Sequence, residues 1–155
     1  MNTLTFFISV SFVLFCLYMA KHAVLGYQRA RASSRWPSVE GVLVSVELWG
    51  NRNIDGEMVA ANNLRVKYDY QINADEYSGN TVAYYELHYP ETTEFAEAHP
   101  EGSQVKVFYN PHSCVQSVLV PGLHPAKPYG GLILAGFGVV FSLGISAGIW
   151  LGYIG

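Results

Sequence analysis

"LRVKYDYQI", Leu64 to Ile72, is the stretch that decides the fold of this chain's middle region. Leu64, Val66, Tyr68, Tyr70 and Ile72 alternate with Arg65, Lys67, Asp69 and Gln71. Successive side chains of a strand point to opposite faces, so the run predicts a half-buried β-strand with one dry side. Outward from it, Val42, Val44, Val46 and Leu48 predict an earlier strand with those four turned inward. "NADE" (73–76) reads as a tight turn into a third strand, roughly Tyr77 to Glu86. Val105, Val107 and Tyr109 line a fourth, and Val115, Ser117 and Leu119 a fifth beyond the Asn110–Pro111 turn.

"PETTEFAEAHPEG" (90–102) predicts one short helix, capped by Thr92 or Thr93 and stopped by Pro100 and Gly102. Phe95 and Ala98 would face the sheet, while Glu94, Glu97 and Glu101 form a solvated row. Residues 50–63 are the longest stretch expected to be irregular, either a binding loop or a mobile hairpin tip around Asp55–Gly56. Residues 36–127 therefore predict a small antiparallel β-barrel or curled sandwich with one short helix.

Charge placement sets the surroundings of this domain. All nine Lys and Arg and all twelve Asp and Glu lie between positions 21 and 127; the first 20 and last 28 residues carry none. Lipid excludes charge, so both ends read as transmembrane helices, residues 4–27 and 129–154, with a basic linker at 28–35. The first span lacks the basic leader and the small-residue site of a cleaved signal peptide, which favours a retained anchor. Lys21, Arg29, Arg31 and Arg35 follow it and would lie at the membrane surface against anionic lipid; Lys127 precedes the second span. By the positive-inside rule the β domain is expected in the cytoplasm with both termini outside, in the inner membrane of a bacterium.

Gly144, Gly148 and Gly152 recur every four residues, which predicts a smooth helix face against the first helix or a second copy. Glycine is also simply common in membrane helices. The domain is rich in Tyr and Trp; Trp49, Tyr84, Tyr85 and Tyr89 are candidate partner-binding residues, with barrel core as the plainer alternative.

Chemistry is harder to find. His112, Ser113 and Cys114 are consecutive, and neighbours on an extended chain cannot form a nucleophile–base pair, so "NPHSC" reads as a corner between strands. His88, His99, His112 and His124 match no metal-ligand spacing, and there is no phosphate-cradling glycine loop. Cys16 and Cys114 fall in different parts of the chain, which argues against a disulfide framework. Neither span carries an ionisable residue in its apolar run, which disfavours an ion pathway. Segment 36–127 holds five basic against twelve acidic residues, a net charge of −7, which argues against a nucleic-acid partner. No cofactor is expected.

"WPSVEG" (36–41), "VKYDY" (66–70), "YSG" (77–79), "HPEGSQVKVFYNP" (99–111) and "SVLVPG" (117–122) occur in an order and spacing that resembles the domain of unknown function family 3592. The resemblance implies a membrane-anchored β domain and carries no activity; the Asn-rich stretch 51–63 departs from it. Gly41, Gly79 and Gly102 are read as turn or bulge positions. The expected function is a non-enzymatic membrane scaffold or accessory subunit. It would bind membrane lipid and either a protein partner or a second copy through the second helix. The alternatives are a small membrane enzyme or redox protein using Cys114 and His112, and an immunity- or inhibitor-type protein.

Overall fold

The computed structural model describes residues 3–153, so the expected end of the second span at Ile154 lies outside the described residues. The elements are α1 (Thr3–Ser33), β1 (Ser38–Ile54), β2 (Glu57–Ile72), β3 (Asp75–Gly79), α2 (Glu91–Ala98), β4 (Gln104–Asn110), β5 (Ser113–Val118) and α3 (Gly130–Trp150). The chain divides into two compact units. One comprises the residues up to Gln28 with those from His124 on, and the other is Arg29–Leu123.

The second unit is an antiparallel five-stranded open sheet of order β3-β2-β1-β4-β5. β2 keeps the strict alternation expected of it: Val66, Tyr68 and Tyr70 are buried, and Arg65, Lys67, Asp69 and Gln71 are exposed. With Leu43, Val82, Val105, Val107 and Leu119 they form the core, which Phe95 of α2 covers.

β1 departs from its expected phase. Leu43 is fully buried, while Val42 and Val44 are 47% and 44% exposed. A bulge between Leu43 and Ser45 inserts one residue, so the inner face runs Gly41, Leu43 and then Val46. Residues 50–63 are not a loop. β1 and β2 continue through them as a two-stranded arm closed at Asp55–Gly56, both with positive φ (52° and 94°), the geometry of a tight hairpin turn.

The third strand is shorter than expected, ending at Gly79, and residues 80–90 are irregular. There the chain leaves the sheet, and the Val82 carbonyl instead accepts the N–H groups of Leu119 and Val120. On β5 Ser117 and Val118 are buried with Leu119 beyond it, but Val115 is 69% exposed rather than inward. In α2 neither threonine caps the helix from Ncap, which is Pro90. Thr92 is buried and its hydroxyl donates to the Ala61 carbonyl (2.6 Å), tethering the helix to β2, while Ala98 is exposed. "NPHSC" is the β4–β5 corner.

Side chains link β2 to β5, with which it shares no ladder. From β2 the Tyr68 hydroxyl donates to the Thr81 carbonyl (3.0 Å) and lies 3.0 Å from Ser117 Oγ on β5, and the Tyr70 hydroxyl donates to the Cys114 carbonyl. Gly79 and Gly41 are close-approach positions, not turns. A Cβ on Gly79 would sit 2.3–2.5 Å from the Tyr68 ring, and one on Gly41 would sit 2.7 Å from the Asp69 carbonyl oxygen. Of the three glycines expected at turns or bulges, Gly102 alone serves a turn, at φ 82°.

α1 is helical through most of the expected 28–35 linker. At its end Ser33 is buried, its hydroxyl donating to Ala30 and accepting the Gly122 N–H (2.9 Å).

In the other unit, α1 and α3 each contain a segment long and apolar enough to cross a membrane, consistent with a two-pass membrane protein. Their less exposed faces alternate spacings of three and four: Ser9, Val13, Cys16, Ala20, Ala23 and Tyr27 on α1, and Leu132, Ala135, Val139, Ser142, Ser146 and Ile149 on α3. Small side chains on such faces let helices approach where lipid offers no hydrophobic drive. The helices run antiparallel, with Tyr27 against Tyr129 at one end (ring centroids 5.8 Å) and Trp150 against Phe6 at the other (6.2 Å). The Trp150 indole N–H donates to Ser9 Oγ (3.1 Å), which satisfies a polar atom in an apolar setting.

Candidate functional site

The most accessible large aromatic of the sheet is Trp49, 52% exposed at a second β1 bulge, where Gly50 takes φ 79°. Arg65 lies over its indole at 5.8 Å and pairs with Glu47 at 3.7 Å. Trp49, Leu64, Asn80 and Thr81 are shared by two open cavities. The smaller, of about 360 Å³, adds Tyr85, Glu86 and His88. The larger, of about 830 Å³, adds Arg29, Arg65, Lys67, Tyr84 and the β5 residues Val115, Gln116 and Ser117. Together they make one cleft with a basic end and an end holding the Glu86–His88 pair (3.8 Å).

Of the aromatics expected to bind a partner, the structure brings Trp49, Tyr84 and Tyr85 to this cleft. Tyr89 lines neither cavity and instead lies under the Arg52 guanidinium of the arm (5.0 Å). Tyr84 packs edge-on to Trp36 (5.9 Å). Burial pushes its phenol upward, partly offset by the Arg29 charge, and burial followed by Glu91 pushes Tyr85 the same way.

The expected membrane-surface set divides. Arg29 lines the larger cavity, Arg31 and Arg35 are exposed outside it, and Lys21 is exposed on α1 within the helical unit. The glycines divide too. Gly144 is exposed, with open space where a Cβ would stand, and Gly148 is half-buried within α3. Gly152 lies past α3 at φ 79°. Its N–H bonds the Ile149 carbonyl and the Tyr153 N–H bonds that of Gly148, an αL glycine ending the helix.

His112 is exposed, its backbone N–H bonded to Asn110 Oδ1, and Cys114 is half-buried. His99 stacks on Phe95 (4.4 Å). Among the described residues no three His, Cys, Asp or Glu groups gather as a metal would require. Arg65, Lys67, Asn80 and Thr81 were not legible as site residues: two are ordinary outward positions of a strand, and two fall in a segment that reads as strand. What the cleft offers is an aromatic wall, cations and amide and hydroxyl donors, which suits binding.

No curated protein and no solved structure matches the chain. A family model described as "Domain of unknown function (DUF3592)" matches residues 39–124, more than half of the chain and the whole sheet but for the first residue of β1, and the chain belongs to that family.

Proposed function

We propose that this chain is a non-catalytic membrane adaptor, anchored by α1 and α3, whose β domain binds a second protein. The observation that supports this reading is the β1–β2 arm. From Trp49 to Ile54 and from Glu57 to Asn63 the two strands pair only with each other, beyond the reach of β4 and β3. The arm carries exposed Trp49, Met58 (65%) and Val59 (41%). Unpaired strand edges beside exposed apolar side chains are what a partner strand or loop docks on, and tryptophan is prominent among the residues that carry such interfaces. The basic residues Lys21, Arg29, Arg31, Arg35 and Lys127 favour a cytoplasmic β domain in a bacterial inner membrane. Gly144, open on the side of α3 away from its buried serines, suits a second copy of the helix.

In-cell photo-crosslinking of the full chain tests it, with the probe at Met58, Val59 or, as a control, Asn73 of the β2–β3 turn. Discrete adducts from the arm and none from Asn73 are expected, lost with Trp49→Ala, and their mass separates a different partner from a second copy. A chain that stays uncrosslinked at Met58 and Val59 would refute the reading.

A further inference from the structure

The unit Arg29–Leu123 carries twelve acidic and seven basic residues, yet the larger of the two cavities at Trp49 has three cations and no carboxylate in its walls. Arg29 comes from α1, and Arg65 and Lys67 stand two apart on β2, on one face of the strand. Among the described residues the carboxylate paired to any of them is Glu47, 3.7 Å from Arg65, with both side chains more than 60% exposed (62% and 69%), so the pair holds Arg65 weakly. Arg29 and Lys67 have no carboxylate partner among the described residues.

Neutral donors surround the cations. Asn80, Ser45 and Thr81, whose hydroxyl donates to Asn80 Oδ1 (3.4 Å), line the same cavity, and Gln116, whose carbonyl accepts from Asn110 Nδ2 (2.9 Å), keeps its amide N–H groups to donate. Trp49, Leu64 and Val115 supply an apolar flank. The net charge of −7 over residues 36–127 argues against a polyanion, but a single phosphate needs only local cations, and this cleft concentrates them. The apolar flank calls for a phosphate that carries hydrocarbon. Arg29 follows Tyr27 by two positions on a helix with a membrane-length apolar run, which favours a lipid headgroup as the source.

We propose that this larger cavity, built by β2, residues 78–84, β5 and Arg29, binds the phosphate of an anionic glycerophospholipid. The site shares Trp49 with the arm, but its cations Arg29, Arg65 and Lys67 lie outside the arm, so it stands whether or not the arm has a partner.

Native mass spectrometry of the full chain in mild detergent, titrated with dioleoylphosphatidylglycerol, tests it. One saturable site is expected, with dioleoylphosphatidylcholine binding much more weakly. Arg29→Gln and Lys67→Gln each weaken it about fivefold, with unchanged melting as the check on folding. Lys106→Gln, the same charge change outside the cleft, leaves it unchanged. Equal binding of the two lipids would overturn the proposal, as would unaffected Arg29 and Lys67 variants or an equal loss with Lys106→Gln. Glycerol 3-phosphate binding as tightly as the lipid would overturn the lipid assignment in favour of a soluble phosphoester. Binding of a hexaglutamate peptide in its place would overturn the assignment to phosphate altogether.

Discussion

The hydroxyl of Tyr68 on β2 lies 3.0 Å from Ser117 Oγ on β5, linking two strands that share no backbone ladder. The same oxygen donates to the Thr81 carbonyl. One buried phenol thus ties β2, the irregular segment and β5 together, and that junction also shapes the wall of the cleft, to which Thr81 and Ser117 belong.

Tyr68→Phe removes that oxygen and leaves the buried Ser117 hydroxyl and Thr81 carbonyl short of a partner. The expected cost is about 1–3 kcal/mol. Denaturant unfolding of the β domain in the detergent-solubilised chain measures it, and a change below a few tenths of a kcal/mol would show the bridge is idle.

Gly79→Ala is expected to cost more than Gly56→Ala. A methyl at 79 meets the Tyr68 ring at 2.3–2.5 Å, and the ring is fully buried and cannot swing away. At 56 the space is open and only the left-handed backbone (φ 94°) resists, at about 1–2 kcal/mol. Thermal melts of the two variants side by side decide the order.

Burial pushes the Tyr68 phenol up to about 12 from the usual 10, and Tyr70 also moves upward because of burial. The folded state therefore holds these protons more tightly than the unfolded chain does. The stabilisation is fully present below pH 10 and is lost as pH rises from 10 through about 12. For Tyr68 the loss is on the order of 3 kcal/mol. Unfolding midpoints recorded from pH 8 to 12 should hold steady and then fall, and Tyr68→Phe should flatten the fall.

Gly144→Leu should leave the α1–α3 pair intact, because open space surrounds that position, whereas Ser142→Leu forces bulk into a fully buried site. If α3 pairs with a second copy through Gly144, the first variant abolishes inter-chain crosslinks at α3 without lowering the melting temperature. The second lowers the melting temperature itself.

Much of this architecture was legible in short-range pattern. The β2 alternation at Leu64–Ile72, the Asp55–Gly56 turn and the uncharged ends each express a rule acting over a few residues: side-chain parity, the φ a residue tolerates, the exclusion of charge from lipid.

Where parity had to be referred to another part of the chain, the sequence alone misled. Val42 and Val44 face outward because one inserted residue near Val44 shifts the count against β2, and no local signal marks that bulge. Thr92 suits a helix cap in isolation but is drawn to the Ala61 carbonyl, 31 residues away along the chain, because a buried hydroxyl must find an acceptor. The cleft is the extreme case. Arg29, Lys67 and Gln116 carry no shared motif, and only the curl of the sheet sets them around one cavity. Local chemistry marked the β2 alternation and the two apolar helices, but not that residues 50–63 are strand or that 80–86 leave the sheet. Tertiary packing alone decided which side chains share a space, since that depends on contacts between residues far apart in sequence.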